Sequence, residues 1–311
     1  MRRAGYAVAA GACAAGAARL AYSAMSRRPP GGPKAWSRTN HRGEPVTLLE
    51  GPAVAAGALA GVLAQAGLAQ GVQAALASAS GAPGGRRAAA MALGGAGAAA
   101  FGAYDDLAGS GDRRGFRGHL GALRQGEVTT GAVKLGGIGV TGIVSAAVAG
   151  GSLVDVILNA GLVAGGANLL NLFDLRPGRA IKVAAVSGTL LGAAGQDSVA
   201  APLGAALALL PEDLGERAML GDAGANALGA MLGASAAGLS RPARIALLAG
   251  IAGLTAASEK VSFTKVIART PALNWLDMLG RRPAPQPSAP QPSAPQPPLV
   301  TIPAQRPEPA G

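Results

Sequence analysis

The chain has 311 residues, half of them hydrophobic and only 14% charged, with 49 glycines, a mean hydropathy of +0.32 and a net charge of +11. That is too few charges for a soluble globular protein, and the glycines lie inside apolar runs, which excludes a collagen-like or linker-like chain. A single cysteine, Cys13, excludes an intramolecular disulfide and a cysteine-based metal centre, and two histidines, His41 and His119, leave little room for a histidine-rich one.

The composition predicts an all-α, polytopic protein of the cell membrane. Its positive charge suits anionic lipids or phosphorylated substrates, and equally the ordinary cationic bias of cytoplasmic loops. In chain order the apolar stretches are Gly5–Ala24, Pro52–Ala77, Ala88–Ala103, Gly131–Gly150, Leu153–Phe173, Ile181–Ala194, Val199–Leu210, Ala223–Leu239 and Ile245–Ala257. They predict about nine to ten transmembrane helices, although several fall short of the ~20 residues a full crossing needs. The first stretch follows Arg2 and Arg3 as a signal peptide would. No secreted domain comes after it, so a retained helix is expected.

Loop cations orient the spans. With the amino terminus outward, the outward segments hold Arg2, Arg3, Arg86, Arg87, Arg241 and Arg244. Most of the 27 lysines and arginines then face the cytoplasm, among them the groups Arg27–Arg42, Arg113–Lys134, Arg176–Lys182 and Lys260–Arg282. Residues 1–282 form the expected membrane domain. The remainder, 283–311, holds half of the 22 prolines and a repeated PSAPQ, and is expected to be a disordered, solvated tail. A protein partner for the tail is the alternative.

Four polar clusters fall on the cytoplasmic side of that arrangement. They are Asn40-His41-Arg42-Gly43, Asp105-Asp106, the stretch from Asn168 through Asn171 and Asp174 to Arg176, Arg179 and Lys182, and Gly221-Asp222-Ala223-Gly224. Each has a plain structural alternative. Adjacent carboxylates can end a helix in water, Asp222 can cap one, and the cations after Asp174 can anchor the next span. Lys134 has the position of a lysine that snorkels to the interface. Taken together, carboxylates beside cations at a membrane edge fit Mg²⁺ and a diphosphate, because Mg²⁺ is usually held by one or two carboxylates plus substrate phosphates.

Asn40-x-Arg42-Gly43, Gly102-x-x-Asp105-Asp106, Asn168-x-x-Asn171-Leu172-x-Asp174 and Met219-x-Gly221-Asp222-x-Gly224 resemble, in order, motifs of the polyprenyl-phosphate sugar-1-phosphate transferases. The resemblance runs from about Asn40 to Gly280. It implies transfer of a sugar 1-phosphate from a UDP-sugar to polyprenyl phosphate at the cytoplasmic face, releasing UMP for envelope polysaccharide synthesis. It implies Mg²⁺ as cofactor, Asp222 and Asp174 as metal ligands, and Asp105, Asp106 and Asp174 as the catalytic carboxylates. Asn40, Arg42, Lys134, Asn168, Asn171, Arg176 and Arg179 are the residues expected to bind substrate. UDP-sugar, polyprenyl phosphate and membrane lipids are the expected partners, with a second copy of the chain as a further one, and no nucleic acid. The sequence departs from the pattern at Leu175 and Pro177, where the family has Gly and Asp. Ala225 stands for a serine, and Ser258–Phe263 occupies the place of a histidine motif. Those departures motivate a second reading, a non-catalytic relative that binds lipid phosphate or scaffolds an envelope complex.

Overall fold

A computed structural model describes residues 2–70, 83–109, 121–122 and 125–283. The last part of the second apolar stretch, the loop residues Arg113, Arg114, Arg117, His119 and Arg124, and the tail from residue 284 lie outside the described residues. What is described is all-α apart from one small hairpin. The helices are α1 Arg2–Arg27, α2 Pro33–Trp36, α3 Glu50–Gln70, α4 Pro83–Ala108, α5 Thr130–Ala149, α6 Leu153–Phe173, α7 Arg179–Ala193, α8 Ala200–Leu214, α9 Gly221–Ala236, α10 Arg241–Ser258, α11 Phe263–Arg269 and α12 Pro271–Met278. Strands β1 (Ser37–Thr39) and β2 (Pro45–Thr47) pair antiparallel, with Arg38 opposite Val46.

Each of the nine apolar stretches therefore carries a helix, and local chemistry sets several of the ends. Thr129 caps α5 by accepting the Ala132 amide at 3.1 Å. Ser152 and Asp155 close a reciprocal capping box on α6. Between α6 and α7 the chain turns through Gly178, whose φ of +68° suits a residue without Cβ.

As membrane spans the helices are unequal. Among the described residues, α5 and α6 are long and apolar enough to cross a bilayer. A third span results if α10 and α11, bent by 96°, are counted together. The nine to ten predicted spans exceed this for two physical reasons. The helices α7, α8 and α9 have 15, 15 and 16 residues, about 22–24 Å at 1.5 Å per residue, against a hydrocarbon core of about 30 Å. The longer α1 and α4 are rich in Ala and Gly and carry arginines, which leaves them less apolar than the Val-, Ile- and Leu-rich α5 and α6.

α9 is the central helix, with 14 of its 16 residues buried and with α3, α4 and α6 packed around it. Small residues make this possible. A Cβ on Gly229 would overlap the Gly166 carbonyl of α6, so the two backbones touch. α4 and α6 run in opposite senses to α5. That gathers Asp105, Asp106, Lys134 and Asp174 at one end of the bundle, the acidic end, and Arg86, Arg87, Asp155 and Arg244 at the other. The hairpin lies over the acidic end. It is held by the Thr47–Ala218 bridge and by Trp36, Leu48 and Leu49 packing together.

Candidate functional site

The acidic end is organised by the first turn of α9. Its Asp222 and Ala223 amides donate to the two oxygens of Asp106, at 3.0 and 2.9 Å. Asp106 thus caps α9 from the neighbouring helix, satisfying donors that a helix start leaves open. The Gly221 amide donates to Asp174, which follows α6 and is buried. Lys134, from α5, reaches Asp105 at 2.7 Å and also contacts Asp222. Asp105, Asp106, Asp174 and Asp222 therefore meet around residues 221–223, with one ammonium between two of them.

Close approach of α4 to α9 is what permits this. Gly102 lies against the Asp222 carbonyl, where a Cβ would collide. One turn later Asp105 and Asp106 come level with the start of α9. Burial and the nearby Asp222 carboxylate push the Asp106 carboxyl up to about 7, against the two amides that favour its charge. Burial, reinforced by Asp213 and Asp222, raises Asp174 well above the usual carboxylate range.

The substrate-binding residues expected from the sequence divide into two groups. Arg176 lines a pocket of about 200 Å³ together with Asn40, His41, Asp174, Asp213 and Glu216. Asn171, half-buried, carries the carbonyl that accepts the Asp174 amide at 3.1 Å. The others are occupied. Asn40 accepts the Arg42 and Glu44 amides at 2.8 and 2.9 Å and donates to Glu216 at 2.9 Å. Arg42 ion-pairs with Glu216 at 2.9 Å and donates to the carbonyls of Arg282 and Pro283. Asn168 donates to Thr255 at 3.4 Å.

Arg179 is the clearest departure from expectation. Only 4% exposed, it grips both oxygens of Asp277 on α12, at 2.7 and 3.0 Å, and donates to Thr264 at 3.0 Å. Lys182 donates to the Asp277 carbonyl at 2.7 Å, and Arg281 joins the same carboxylate at 2.8 Å. A guanidinium committed to a buried bidentate pair is not open to a diphosphate. Its role is to dock α12 beside the site.

Sequence reading also missed three acids. Glu50, at the start of α3, is fully buried with neither oxygen hydrogen-bonded among the described residues. Asp213 is 2% exposed with one oxygen likewise unpartnered, and Glu216 anchors Asn40 and Arg42. Glu50 stands singly before an apolar stretch and Asp213 follows Glu212 just after another, and only the packing of α3 against α8 brings them toward Asp174. The left-handed φ of +55° at Glu216 is a signal of its own, but it is visible only in the structure.

The carboxylates present are compatible with a hard divalent cation. Asp105 and Asp222 already bracket a positive charge, and two carboxylates are a usual protein contribution to Mg²⁺. Among the described residues no three acidic or histidine side chains form a ready metal cage, so phosphate and water would complete the shell. Compared with known proteins, the sequence matches no family model and no curated relative.

Proposed function

We propose that the chain is a multi-pass membrane enzyme that transfers a sugar 1-phosphate from a UDP-sugar to polyprenyl phosphate. In this reading the acidic end faces the cytoplasm and the nine helices over the apolar stretches traverse or pack within the membrane. The observation that carries it is the meeting of Asp105, Asp106, Asp174 and Asp222 at the first turn of α9, with Lys134 between Asp105 and Asp222. These four carboxylates also belong to the motifs on which the resemblance rests. The orientation follows from the cationic bias of the loops on that side.

The chemistry is an in-line displacement. A phosphate oxygen of the lipid attacks the β-phosphorus of the UDP-sugar, a new P–O bond joins lipid phosphate to sugar phosphate, and the bond to the bridging oxygen breaks. UMP departs with that oxygen. Bound Mg²⁺ would polarise the diphosphate oxygens and neutralise the leaving nucleotide. Asp222 would hold it, with Asp174 adjoining, which leaves Asp105 for proton transfer. Lys134 would then turn to a phosphoryl oxygen, and Asp105 is placed to take a proton from a singly charged lipid phosphate. Asp106 positions α9 through its two amide contacts. Arg176, on the pocket beside Asp174, is the cation for the nucleotide diphosphate.

The test is UMP release by the purified protein with polyprenyl phosphate, Mg²⁺ and a panel of UDP-sugars. Turnover that Asp222→Asn abolishes without loss of expression supports the enzyme, and full activity in that variant removes the metal assignment. Arg179 locked onto Asp277 beside a motif altered at Leu175 and Pro177 favours the second reading, a non-catalytic protein that binds lipid phosphate. Retention of polyprenyl phosphate with no turnover across the panel would select it.

A further inference from the structure

We propose a second phosphate-binding site at the opposite end of the bundle, built from arginines and serving an anionic lipid headgroup. A pocket of about 180 Å³ opens there, lined by Arg87 of α4, Ser145 and Gly150 at the end of α5, Asp155 and Asn159 of α6, and Arg244 of α10. Arg244 is 8% exposed. It donates to Asp155 at 2.7 Å and to Asn159 at 2.9 Å, while its buried Nε has no hydrogen-bond partner among the described residues. A guanidinium on the pocket wall that is held at both terminal nitrogens and unsatisfied at its buried Nε keeps unused donor capacity for an anion, since arginine binds phosphate through parallel N–H donors.

Charge agrees with this. Arg241 shares Asp155 with Arg244, at 3.0 Å, so one carboxylate is divided between two guanidiniums. Among the described residues no carboxylate ion-pairs with Arg87, and Arg86 donates to the Val148 carbonyl at 3.0 Å rather than to an acid. Among the described residues the other acid placed at this end is Asp197, in the α7–α8 connection. Helices α4, α6 and α10 all begin here, and their amino-terminal dipoles add to the positive potential.

Position identifies the ligand's source. Arg87 and Asp105 are 18 residues apart on α4, and Asp155 and Asp174 are 19 apart along α6. At 1.5 Å per residue the two ends are about 27–29 Å apart, close to the ~30 Å of a bilayer core. With the acidic end at one interface, this pocket lies at headgroup depth in the other. The site is independent of whether the acidic end catalyses sugar-phosphate transfer.

The experiment reconstitutes the full chain in nanodiscs of phosphatidylcholine with and without phosphatidylglycerol and counts retained lipids by native mass spectrometry. A parallel arm adds inorganic phosphate to the protein in detergent and records the thermal midpoint. Wild type should retain phosphatidylglycerol preferentially. Arg87→Gln, at an exposed position, should weaken retention about tenfold, the size of one charge-assisted hydrogen bond, whereas Arg217→Gln at the acidic end should leave it unchanged. Arg244→Gln should abolish it, and if that variant fails to fold, Arg87→Gln decides. An Arg87-dependent stabilisation by inorganic phosphate without lipid preference would uphold the phosphate site and reassign it to a soluble anion. Equal retention by wild type and Arg87→Gln, with no phosphate effect, would overturn it.

Discussion

Replacing Gly102 by alanine isolates the contact on which the acidic end depends. An ideal Cβ at this position lies 2.8 Å from the Ala223 Cα and closer still to the Asp222 carbonyl. Carbon atoms in contact need about 3.5–4.0 Å, so α4 must retreat from α9 by roughly 1 Å. The obstacle is backbone and cannot rotate away. Overpacking of this kind costs about 1–3 kcal/mol, offset by about 1 kcal/mol from the better helix propensity of alanine. The net loss of stability is therefore modest. Function should suffer more, because a displacement of about 1 Å between reacting groups can cost on the order of 10²-fold in rate. Gly139→Ala in α5 is the matched control, since nothing lies within 4 Å of a Cβ there. It should gain up to about 1 kcal/mol and keep full turnover. The assay is UMP release alongside thermal unfolding of the same preparations. Equal behaviour of the two variants in both measurements would refute the claim that close approach of α4 to α9 sets the site.

Lys134→Met removes the ammonium between Asp105 and Asp222, and uncompensated buried charge of this kind costs about 3–5 kcal/mol. The variant should lose thermal stability in chelator and regain more of it on adding Mg²⁺ than the wild type does. Asp277→Asn should free α12, seen as faster hydrogen exchange over residues 271–278 with the core unchanged. The same helix should respond to acid. Burial opposes the charge of Asp277, but Arg179, Arg281 and Lys182 hold its carboxyl below the usual range. A depressed carboxylate stabilises above its unfolded value of about 3.9 and ceases to do so as pH falls through its folded value. Exchange protection of α12 should therefore be flat from neutral pH to about 5 and collapse below about 4.

Each of the nine apolar stretches carries a helix because length and apolar content are local properties. Leu153–Phe173 was legible to the residue, since Ser152 caps it and Asp174 ends it. Which of those helices are long and apolar enough to cross was less legible, because an Ala- and Gly-rich helix such as α9 is apolar without being a good span and is buried by its neighbours instead. At the site, Asp105, Asp106, Asp174 and Asp222 were visible as motifs. The division of labour among them was not, because Asp106 works through backbone amides 116 and 117 residues away. Arg179 misled for the same reason. Its partner Asp277 lies 98 residues on, and a cation next to Asp174 in sequence is turned from it in space.

The altered motif after Asp174 can be judged by what surrounds it. Pro177 has no carboxylate, yet Asp213 of α8 lines the same pocket, beside Asp174 and Arg176. The Gly178 amide donates to Asp213, tying it to the turn. Burial nevertheless raises its carboxyl to about 7. Asp213 stands beyond the apolar stretch Val199–Leu210, so this is the chemistry of the membrane edge rather than of the bilayer. A raised carboxyl stabilises the fold fully below its unfolded value of about 3.9 and loses that contribution as pH rises through about 7. Wild type should thus become less stable from pH 5 to pH 8, by as much as a few kcal/mol for a shift of about three units. Asp213→Asn keeps the shape without the titration, so its stability should be flatter over that window and exceed wild type at pH 8. If the carboxylate serves the substrate pocket in place of the one Pro177 lacks, the same variant loses UMP release while gaining stability. Loss of both would mean that Asp213 only supports the fold, and retention of both would leave the turn at Pro177 without a substitute acid.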